Sequence, residues 1–430
     1  MDGGSLLERA TIGSHDAGTF GITTSSPYTS DAPDFVGKIQ NIPGVGSIMK
    51  TATRDWAVTQ DRNFVGQIVH CESRYLDLRI EYSDQWWIIH SLRSISLAEC
   101  ARQISKALDS ISDVVVIHVQ KAIAANGQPV TPNMIGEFIL KFVNVLGARV
   151  VDQHRFTMHT PVVTMVSQGQ KAFISTPWEK NDHWVNNDES IDNPWANAQN
   201  VVELQGKLQS YVAAAASTAP KTKLFVLQAI ITPDTDMIVN GIETTLGLRK
   251  AEQILSFGAA GGNTPTSLSQ EVRSHAKDIR SAVGKIASRL VDPSVMPVKG
   301  VGVVNVVMVD FVGCYNDDPM HPITNALGGE QRRTVLASGQ WKLGFVPTLM
   351  QSILLLNGLV QDTNPMEVLG EAYNSESVHH DRAYFDKHPD EQKQYVAIVQ
   401  AAQARIGQMN AKASGRLANY ANGLNGSDAV

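Results

Sequence analysis

The chain has 430 residues, 43% of them hydrophobic and 18% charged, and it carries a formal net charge of −6 at pH 7. This length can bury a large core in one big domain or in one and a half. The acidic balance, without a run of lysine or arginine, argues against a nucleic-acid partner, and three widely spaced cysteines without a CxxC pair argue against a disulfide framework or a zinc site.

Seven apolar runs have the length of a β-strand, and we predict a strand at each. Several are continuously apolar, which is typical of parallel strands that are covered on both faces. In chain order the runs span residues 10–13, 75–80, 86–89, 114–119, 161–166, 224–231 and 302–312.

Helical patterns with readable starts lie between these runs. Capping boxes begin at Ser96 and at Ser267, the second before a helix that reaches about Leu290. Thr131 precedes a proline at a first helical position, and Gly147 is a plausible stop for that helix. Strands that alternate with helices predict an α/β fold with a parallel sheet, but periodicity does not separate an open sheet from a closed barrel.

The ends of the first three strand-like runs carry side chains of one chemistry. In-line attack on a phosphodiester needs one imidazole to remove a proton, a second to protonate the departing oxygen, and a cation to meet the charge on the phosphoryl oxygens. The candidates, in chain order, are His15 and Asp16 in the segment IGSHDAGT, Asp77 and Arg79 in RYLDLRI, and His90 in IIHS.

At these segments the chain resembles the X-domain of phosphatidylinositol-specific phospholipase C, more closely the calcium-independent bacterial and trypanosomal type. The resemblance is best over residues 8–92 and continues more weakly to about residue 313. Each motif alone is typical of a helix start, an ion pair or a rim histidine. Three of them in this order favour the functional interpretation.

The resemblance implies a TIM-type (β/α) barrel, irregular or incomplete in its middle, over residues 1–313. The family has an aspartate on its last strand that pairs with the first histidine, and Asp310 stands at that place. Asp310 reaches His15 only if the first and last strands are neighbours, which requires the sheet to close. Active groups of such a barrel gather at the carboxyl ends of its strands.

The resemblance also implies the reaction. His15 would take the proton from the inositol 2-hydroxyl of phosphatidylinositol or a glycosyl-phosphatidylinositol, and His90 would protonate the glycerol oxygen. Diacylglycerol and inositol 1,2-cyclic phosphate would be the products. Asp310 would orient His15, as a buried carboxylate behind a histidine does.

The remaining roles concern the cation. Arg79 would grip a phosphoryl oxygen with its planar donor fork, Asp16 would bridge Arg79 and His90, and Asp77 would hold the guanidinium in place. The calcium-dependent branch carries an acidic pair on this strand, and here Arg79 occupies the second position. Because calcium prefers six to eight oxygen ligands, we expect no metal and no other cofactor.

Substrate contacts are less well defined by the sequence. Candidates for the headgroup pocket, or for a loop that dips into a membrane interface, are His118, Gln120, Lys121, Trp184 and Trp195. Core packing of the tryptophans and a rim helix start at Lys121 are the alternatives. The basic residue that secreted bacterial enzymes place in mid-barrel has no match here, so the free lipid and the glycosylated anchor both stay open.

Compartment and membrane attachment are addressed by two observations. The N-terminal residues lack the basic start and apolar stretch of a signal peptide, so we expect either a mature exported form or a soluble protein that acts peripherally on an inositol phospholipid in a membrane. The longest apolar stretch, residues 343–360, is interrupted by Pro347, Gln351 and Asn357. We therefore expect no transmembrane span.

Residues 314–430 fall outside the resemblance, and we expect a mostly helical extension packed on the barrel. The sequence does not indicate the oligomeric state. Two other functions stay open: a different lipid phosphodiesterase of the sphingomyelinase D kind, which Arg79 disfavours, and a non-catalytic barrel that binds a membrane or a partner.

Overall fold

A computed structural model describes residues 4–32, 46–217, 222–233 and 303–312, together with scattered positions between 267 and 283. The expected C-terminal extension, the apolar stretch 343–360 and the predicted helix end near Leu290 lie outside the described residues. None of the helices within the described ranges is long and apolar enough to cross a membrane.

Ten strands of the described chain join in one sheet. Their bounds are β1 Thr11–Ser14, β2 Ser73–Tyr82, β3 Trp86–His90, β4 Leu92–Ser96, β5 Val115–Ala124, β6 Ala172–Thr176, β7 Trp184–Asn186, β8 Ile191–Asp192, β9 Leu224–Gln228 and β10 Val306–Val309.

Eight of these strands are parallel and follow one another around a curled sheet in the order β7-β6-β5-β2-β1-β10-β9-β8. The first and last strands pair in parallel, from Thr11 opposite Val306 to Ser14 opposite Val309. Within the described residues β7 and β8 do not pair, so the barrel is open along one seam. The expectation that pairing of the first and last strands requires a closed sheet is therefore wrong. The predicted TIM-type (β/α) barrel, irregular or incomplete, is confirmed.

The third predicted strand is a strand, but it does not belong to the barrel. β3 pairs antiparallel with β2 and then with β4, so it is the middle strand of a meander beyond the barrel wall. A short turn at residues 83–85 makes this reversal possible, whereas a parallel neighbour needs a long crossover. The chain therefore comes back to the barrel mouth at His90, where β3 ends.

The described α-helices flank the sheet, and the helix at Val162–Ser167 contributes Val162 and Met165 to the cluster inside the barrel. The helices are α1 Gly46–Ala57, α2 Leu97–Asp109, α3 Pro132–Phe138, α4 Val162–Ser167, α5 Asn187–Ser190 and α6 Val201–Ser217. The chain after α3 stays helical through a π-helical turn, Ile139–Val143, and the short segment Asn144–Leu146. Another π-helical turn spans Gly66–His70, and 3₁₀ turns span Leu6–Glu8, Thr19–Gly21, Ala125–Gly127 and Gly147–Arg149.

Two of the predicted helix starts are confirmed. The Ser96 hydroxyl accepts a hydrogen bond from the Glu99 backbone N–H at the start of α2, and the Thr131 hydroxyl caps α3. Gly147 ends the second helical segment with a φ of +59°, a conformation in which glycine has no steric cost. Described positions between 268 and 283 are helical as well.

One predicted strand is wrong, and four strands, β4, β6, β7 and β8, were not predicted. Residues 161–166 form most of helix α4, which buries Val162 and Met165. The β-branched run favours a strand, but a short apolar run does not separate the two structures, and the i, i+3 spacing of the buried residues belongs to a helix. β6, β7 and β8 are short and lie among polar loop residues.

The core has an inner and an outer part. The inner part fills the barrel and includes Tyr75, Val116, Phe173 and Met308. Residues that alternate with these point outward and pack against the helices. A Cβ on Gly13 would lie 2.7 Å from a Val306 methyl, so only glycine lets the first and last strands approach this closely.

Candidate active site

At the barrel mouth the backbone turns sharply directly after each of three candidate residues. Asp16 follows His15 with a φ of +40°, Ser91 follows His90 with +58°, and Phe311 follows Asp310 with +45°. Non-glycine residues rarely adopt this region, and such strain clusters at functional sites.

His15 is linked to the last strand by a short contact. Its Nδ1 lies 2.7 Å from Oδ1 of the buried Asp310, and its Nε2 lies 3.1 Å from Oδ2 of Asp16 and 3.9 Å from Oδ2 of Asp77. Burial alone would lower the pKa of His15. The charges of Asp16, Asp310 and Asp77 outweigh it and raise that pKa to about 9.

Asp16 lies between the cation and the second histidine. Its Oδ1 is 2.9 Å from Nε of Arg79, and its Oδ2 is 3.3 Å from Nε2 of His90. The carboxylate is buried, which by itself raises its pKa, but Arg79, His15 and His90 lower that pKa to about 2. Asp16 is therefore ionised under all ordinary conditions and ties three site residues together.

His90 is oriented by groups of two other segments, a backbone carbonyl and a side-chain carboxylate. Its Nδ1 lies 2.7 Å from the carbonyl oxygen of Ala57 at the end of α1. A carbonyl only accepts, so Nδ1 carries a hydrogen and Nε2 is the atom free to give or take a proton. Asp31 accepts a hydrogen bond from the Ser91 backbone N–H, which supports the turn after His90. Asp31 was not predicted, since its loop has no pattern that places it here.

Asp77 does not hold Arg79, contrary to the expectation. Among the described residues, the ion pair of Arg79 is with Asp16. Residues 77 and 79 share a strand face but are separated by almost 7 Å of strand at ~3.3 Å per residue, and Arg79 reaches toward the mouth. Asp77 instead accepts from the Asp16 backbone N–H at 3.3 Å. Burial and the charge of Asp16 raise the pKa of Asp77 to about 6.

His118 is a neutral partner inside the barrel. It lies opposite Asp77 on β5, with its Nδ1 3.7 Å from the Asp77 carboxylate and in hydrogen-bond contact with the Tyr75 hydroxyl. Burial lowers the pKa of His118 to about 3. Because His118 is buried beneath Asp77, it supports the floor of the site and offers no exposed face to a headgroup.

Two polar residues after α1 hold the first and last strand ends together. The Gln60 side-chain amide donates to the carbonyl oxygens of His15 and Val309, at 3.1 and 3.0 Å, and accepts from the Val312 N–H. The Thr59 hydroxyl donates to the carbonyl oxygen of His15. Neither was predicted, because backbone partners more than 40 residues away leave no sequence pattern.

The glycine of the first motif sets the distance between the two histidine loops. A Cβ on Gly18 would lie 2.5 Å from Cγ2 of Ile88, two residues before His90. The close packing of this turn against β3 therefore requires glycine.

The other headgroup candidates are placed apart. Gln120 borders the site and accepts a hydrogen bond from Arg79 Nε at 3.0 Å, whereas Lys121 is exposed. Trp184 is buried in the outer core against Phe138, with its indole N–H bonded to a backbone carbonyl, so it has no ring face open to a ligand. Trp195 follows β8 at the carboxyl edge and is 59% exposed.

One group of described residues has the spacing of a metal site. His15, Asp16 and Asp77 each offer a ligand atom within 4.8 Å of the others. The positively charged guanidinium of Arg79 already contacts the carboxylate of Asp16. Three ligands are also fewer than the six to eight that calcium prefers. The donor set fits the expected arginine-based site better than a calcium site.

The chain is similar to curated proteins named PI-PLC X domain-containing protein 3. It is 27% identical to the zebrafish (Danio rerio) protein over 271 residues, which cover 58% of this chain and 76% of that protein. It is 26% identical to the human protein over 268 residues, covering 57% and 74%. No family model matches the chain.

Solved structures similar to the chain include the phosphatidylinositol-specific phospholipase C of Listeria monocytogenes, with 14% identity and a TM-score of 0.44, covering 72% of this chain and 91% of that one. A structure of the Staphylococcus aureus phosphatidylinositol-specific phospholipase C has 13% identity and a TM-score of 0.45, covering 72% and 88%.

Proposed function

We propose that this chain, which is similar to PI-PLC X domain-containing proteins, cleaves the phosphodiester of phosphatidylinositol or a glycosyl-phosphatidylinositol without a metal. The observation that carries the proposal is the arrangement around Asp16. One carboxylate contacts a guanidinium and two imidazoles, each of which lies at the barrel mouth where a phosphate can enter.

In the proposed reaction the inositol 2-hydroxyl gives its proton to Nε2 of His15, and its oxygen forms a bond to phosphorus. The bond from phosphorus to the glycerol oxygen breaks, and that oxygen takes a proton from Nε2 of His90. The products are diacylglycerol and inositol 1,2-cyclic phosphate. Exchange with water then returns each histidine to its starting protonation state.

His15 must be neutral to act as the base, yet its pKa of about 9 keeps it mostly protonated at neutral pH in the empty site. Only a minor fraction is active there. The proposal therefore requires a rate that rises with pH. The carboxylate of Asp310 has two opposing effects on catalysis by His15. It orients the imidazole and stabilises the imidazolium after proton transfer, but it also decreases the neutral fraction beforehand.

Arg79 is proposed to meet the charge that develops on the phosphoryl oxygens. Its Nε contacts Asp16, and its side chain remains partly exposed, which leaves the end of the guanidinium available. A guanidinium presents a planar pair of donors that matches two phosphoryl oxygens.

Phosphorus NMR of vesicles that contain phosphatidylinositol tests the proposal. The expected result is a five-membered cyclic phosphate signal that grows as the lipid signal falls. A monoester as the first product would contradict attack by the 2-hydroxyl. Cleavage of sphingomyelin but not of phosphatidylinositol would favour the sphingomyelinase D kind of enzyme. If a correctly folded protein cleaves neither lipid, the result would favour a non-catalytic barrel.

A further inference from the structure

The guanidinium of Arg79 is anchored at one corner only. Its Nε lies 3.0 Å from Oε1 of Gln120 and 2.9 Å from Oδ1 of Asp16. Within the described residues, the side-chain hydrogen bond of Arg79 is made by Nε, and the two terminal nitrogens make no hydrogen bond. The four hydrogens of those nitrogens are therefore left for a ligand.

Gln120 owes its position to an irregularity of β5. Leu78 lies opposite Val119, but the next residue, Arg79, lies opposite Lys121, so Gln120 is an extra residue without a partner on β2. A bulge of this kind re-aims side chains. Here Gln120 contacts Arg79, and Lys121 is exposed.

A neutral acceptor suits this place. Asp16 already balances the positive charge of Arg79, and a second carboxylate in contact would make the group net negative, which repels a phosphate. An amide oxygen directs the Nε–H while it leaves the net charge of the pair unchanged. A lysine there could not accept the hydrogen bond at all.

We propose that Gln120 is a positioning residue for Arg79, which turns the guanidinium so that its two terminal nitrogens face the phosphoryl oxygens. This inference rests on the proposed phosphodiesterase function. It replaces the expectation that Gln120 contacts the headgroup, because its oxygen is occupied by Arg79.

The first test does not depend on activity. In ¹⁵N–¹H spectra the Arg79 Nε signal is identified by its absence in Arg79→Lys. In Gln120→Leu that signal should shift and exchange faster with water, because the Nε–H has lost its acceptor. Gln120→Glu, which keeps the acceptor, should preserve slow exchange. Gln168→Leu, a change at an exposed glutamine directly after α4, should leave the signal unchanged.

The second test measures kcat and KM on the two phosphorothioate diastereomers of the lipid. Gln120→Leu should reduce kcat on the order of 10-fold, the scale of one hydrogen bond to a charged group, and should reduce the preference between diastereomers as Arg79→Lys does. In the Arg79→Lys background, Gln120→Leu should have little further effect, since the two residues act as one unit.

Additive losses together with an unchanged Nε signal would overturn the inference. If the wild-type protein cleaves no inositol lipid, the proposed function fails, and the Nε signal alone then decides the positioning role. If Gln120→Leu does not fold, Gln120→Met and Gln120→Glu take its place, with opposite expected effects on the exchange of the Nε–H.

Discussion

Nδ1 of His15 lies 2.7 Å from Oδ1 of Asp310, although 295 positions separate the two residues in the chain. Parallel pairing of the first and last strands brings them together. Since the charge of Asp310 raises the pKa of His15, the loss of the Asp310 side chain changes the protonation of His15.

The first prediction concerns pH. Below its pKa of about 9, the neutral fraction of His15 rises about tenfold per pH unit, and kcat/KM should rise with it. Asp310→Asn removes a charge that raises this pKa, so the rising limb should move to lower pH while the maximal rate falls. The pH–rate profile of both proteins is the measurement. An unchanged limb in the variant would mean that His15 is not the titrating base.

The same pair predicts how stability depends on pH. The pKa of His15 is raised from 6.5 in the folded state, so its stabilising contribution is complete below pH 6.5 and is lost as the pH rises through about 9. Asp310→Asn should therefore lower the melting temperature more at pH 6 than at pH 9.5. Asp182→Asn, which breaks the exposed His154–Asp182 pair, is the matched control and should have a small effect at both values.

The second prediction separates the two histidines. His15→Ala and His90→Ala should each lower turnover at least ~10²-fold, the scale of a lost general acid or base, while the exposed His154→Ala should not. A substrate with a phenolic or thiolate leaving group needs no acid, so it should rescue His90→Ala far more than His15→Ala. Equal rescue of both variants would contradict the assigned roles.

The third prediction concerns metal. Cleavage of phosphatidylinositol should survive excess chelator, because the guanidinium of Arg79 lies where a cation would otherwise bind the carboxylate of Asp16. The measurement is the initial rate before and after chelation. Loss of activity that calcium restores would assign the group His15, Asp16 and Asp77 to a metal site.

The fourth prediction distinguishes a catalytic arginine from a structural ion pair. Lysine is a point charge on a flexible stem and does not reproduce a planar fork, so Arg79→Lys should lose on the order of 10²–10⁴ in rate. The melting temperature should change little, because the charge next to Asp16 is kept. Arg149→Lys, at the exposed Asp109 pair, is the control. Normal turnover with a lowered melting temperature would show that Arg79 is structural.

The fifth prediction concerns the glycine of the first motif. Gly18→Ala places a methyl 2.5 Å from Ile88, so it should cost about 1–3 kcal/mol of unfolding free energy and disturb the spacing of His15 and His90. Gly136→Ala is the matched change in open space on α3, where it should stabilise by roughly 0.8–1 kcal/mol. Denaturant unfolding of both variants measures the difference; similar stabilities would remove the packing argument.

The sequence by itself determined the alternation of strands with helices, two capped helix starts, and His15 and His90 at the ends of β1 and β3. Asp77 and Arg79, which were expected to end the second strand, lie in the middle of β2.

The properties that the sequence determined are local. A helix cap satisfies a backbone group within a few residues, as the Ser96 hydroxyl does for the Glu99 N–H, and a buried parallel strand such as β5 has to be apolar along most of its length. The resemblance at residues 8–92 added the expectation that the first and last strands meet.

Tertiary structure alone decided the contacts that define the site. Residues 161–166 became a helix because packing of Val162 and Met165 overrode a strand-like composition. Asp77 and Arg79 share a strand face but have different partners. Arg79 contacts Asp16 and Gln120, whereas Asp77 lies near His15 and His118. Periodicity specifies the face on which a side chain lies, but the choice among charged partners on that face depends on bulges and turns formed by distant segments.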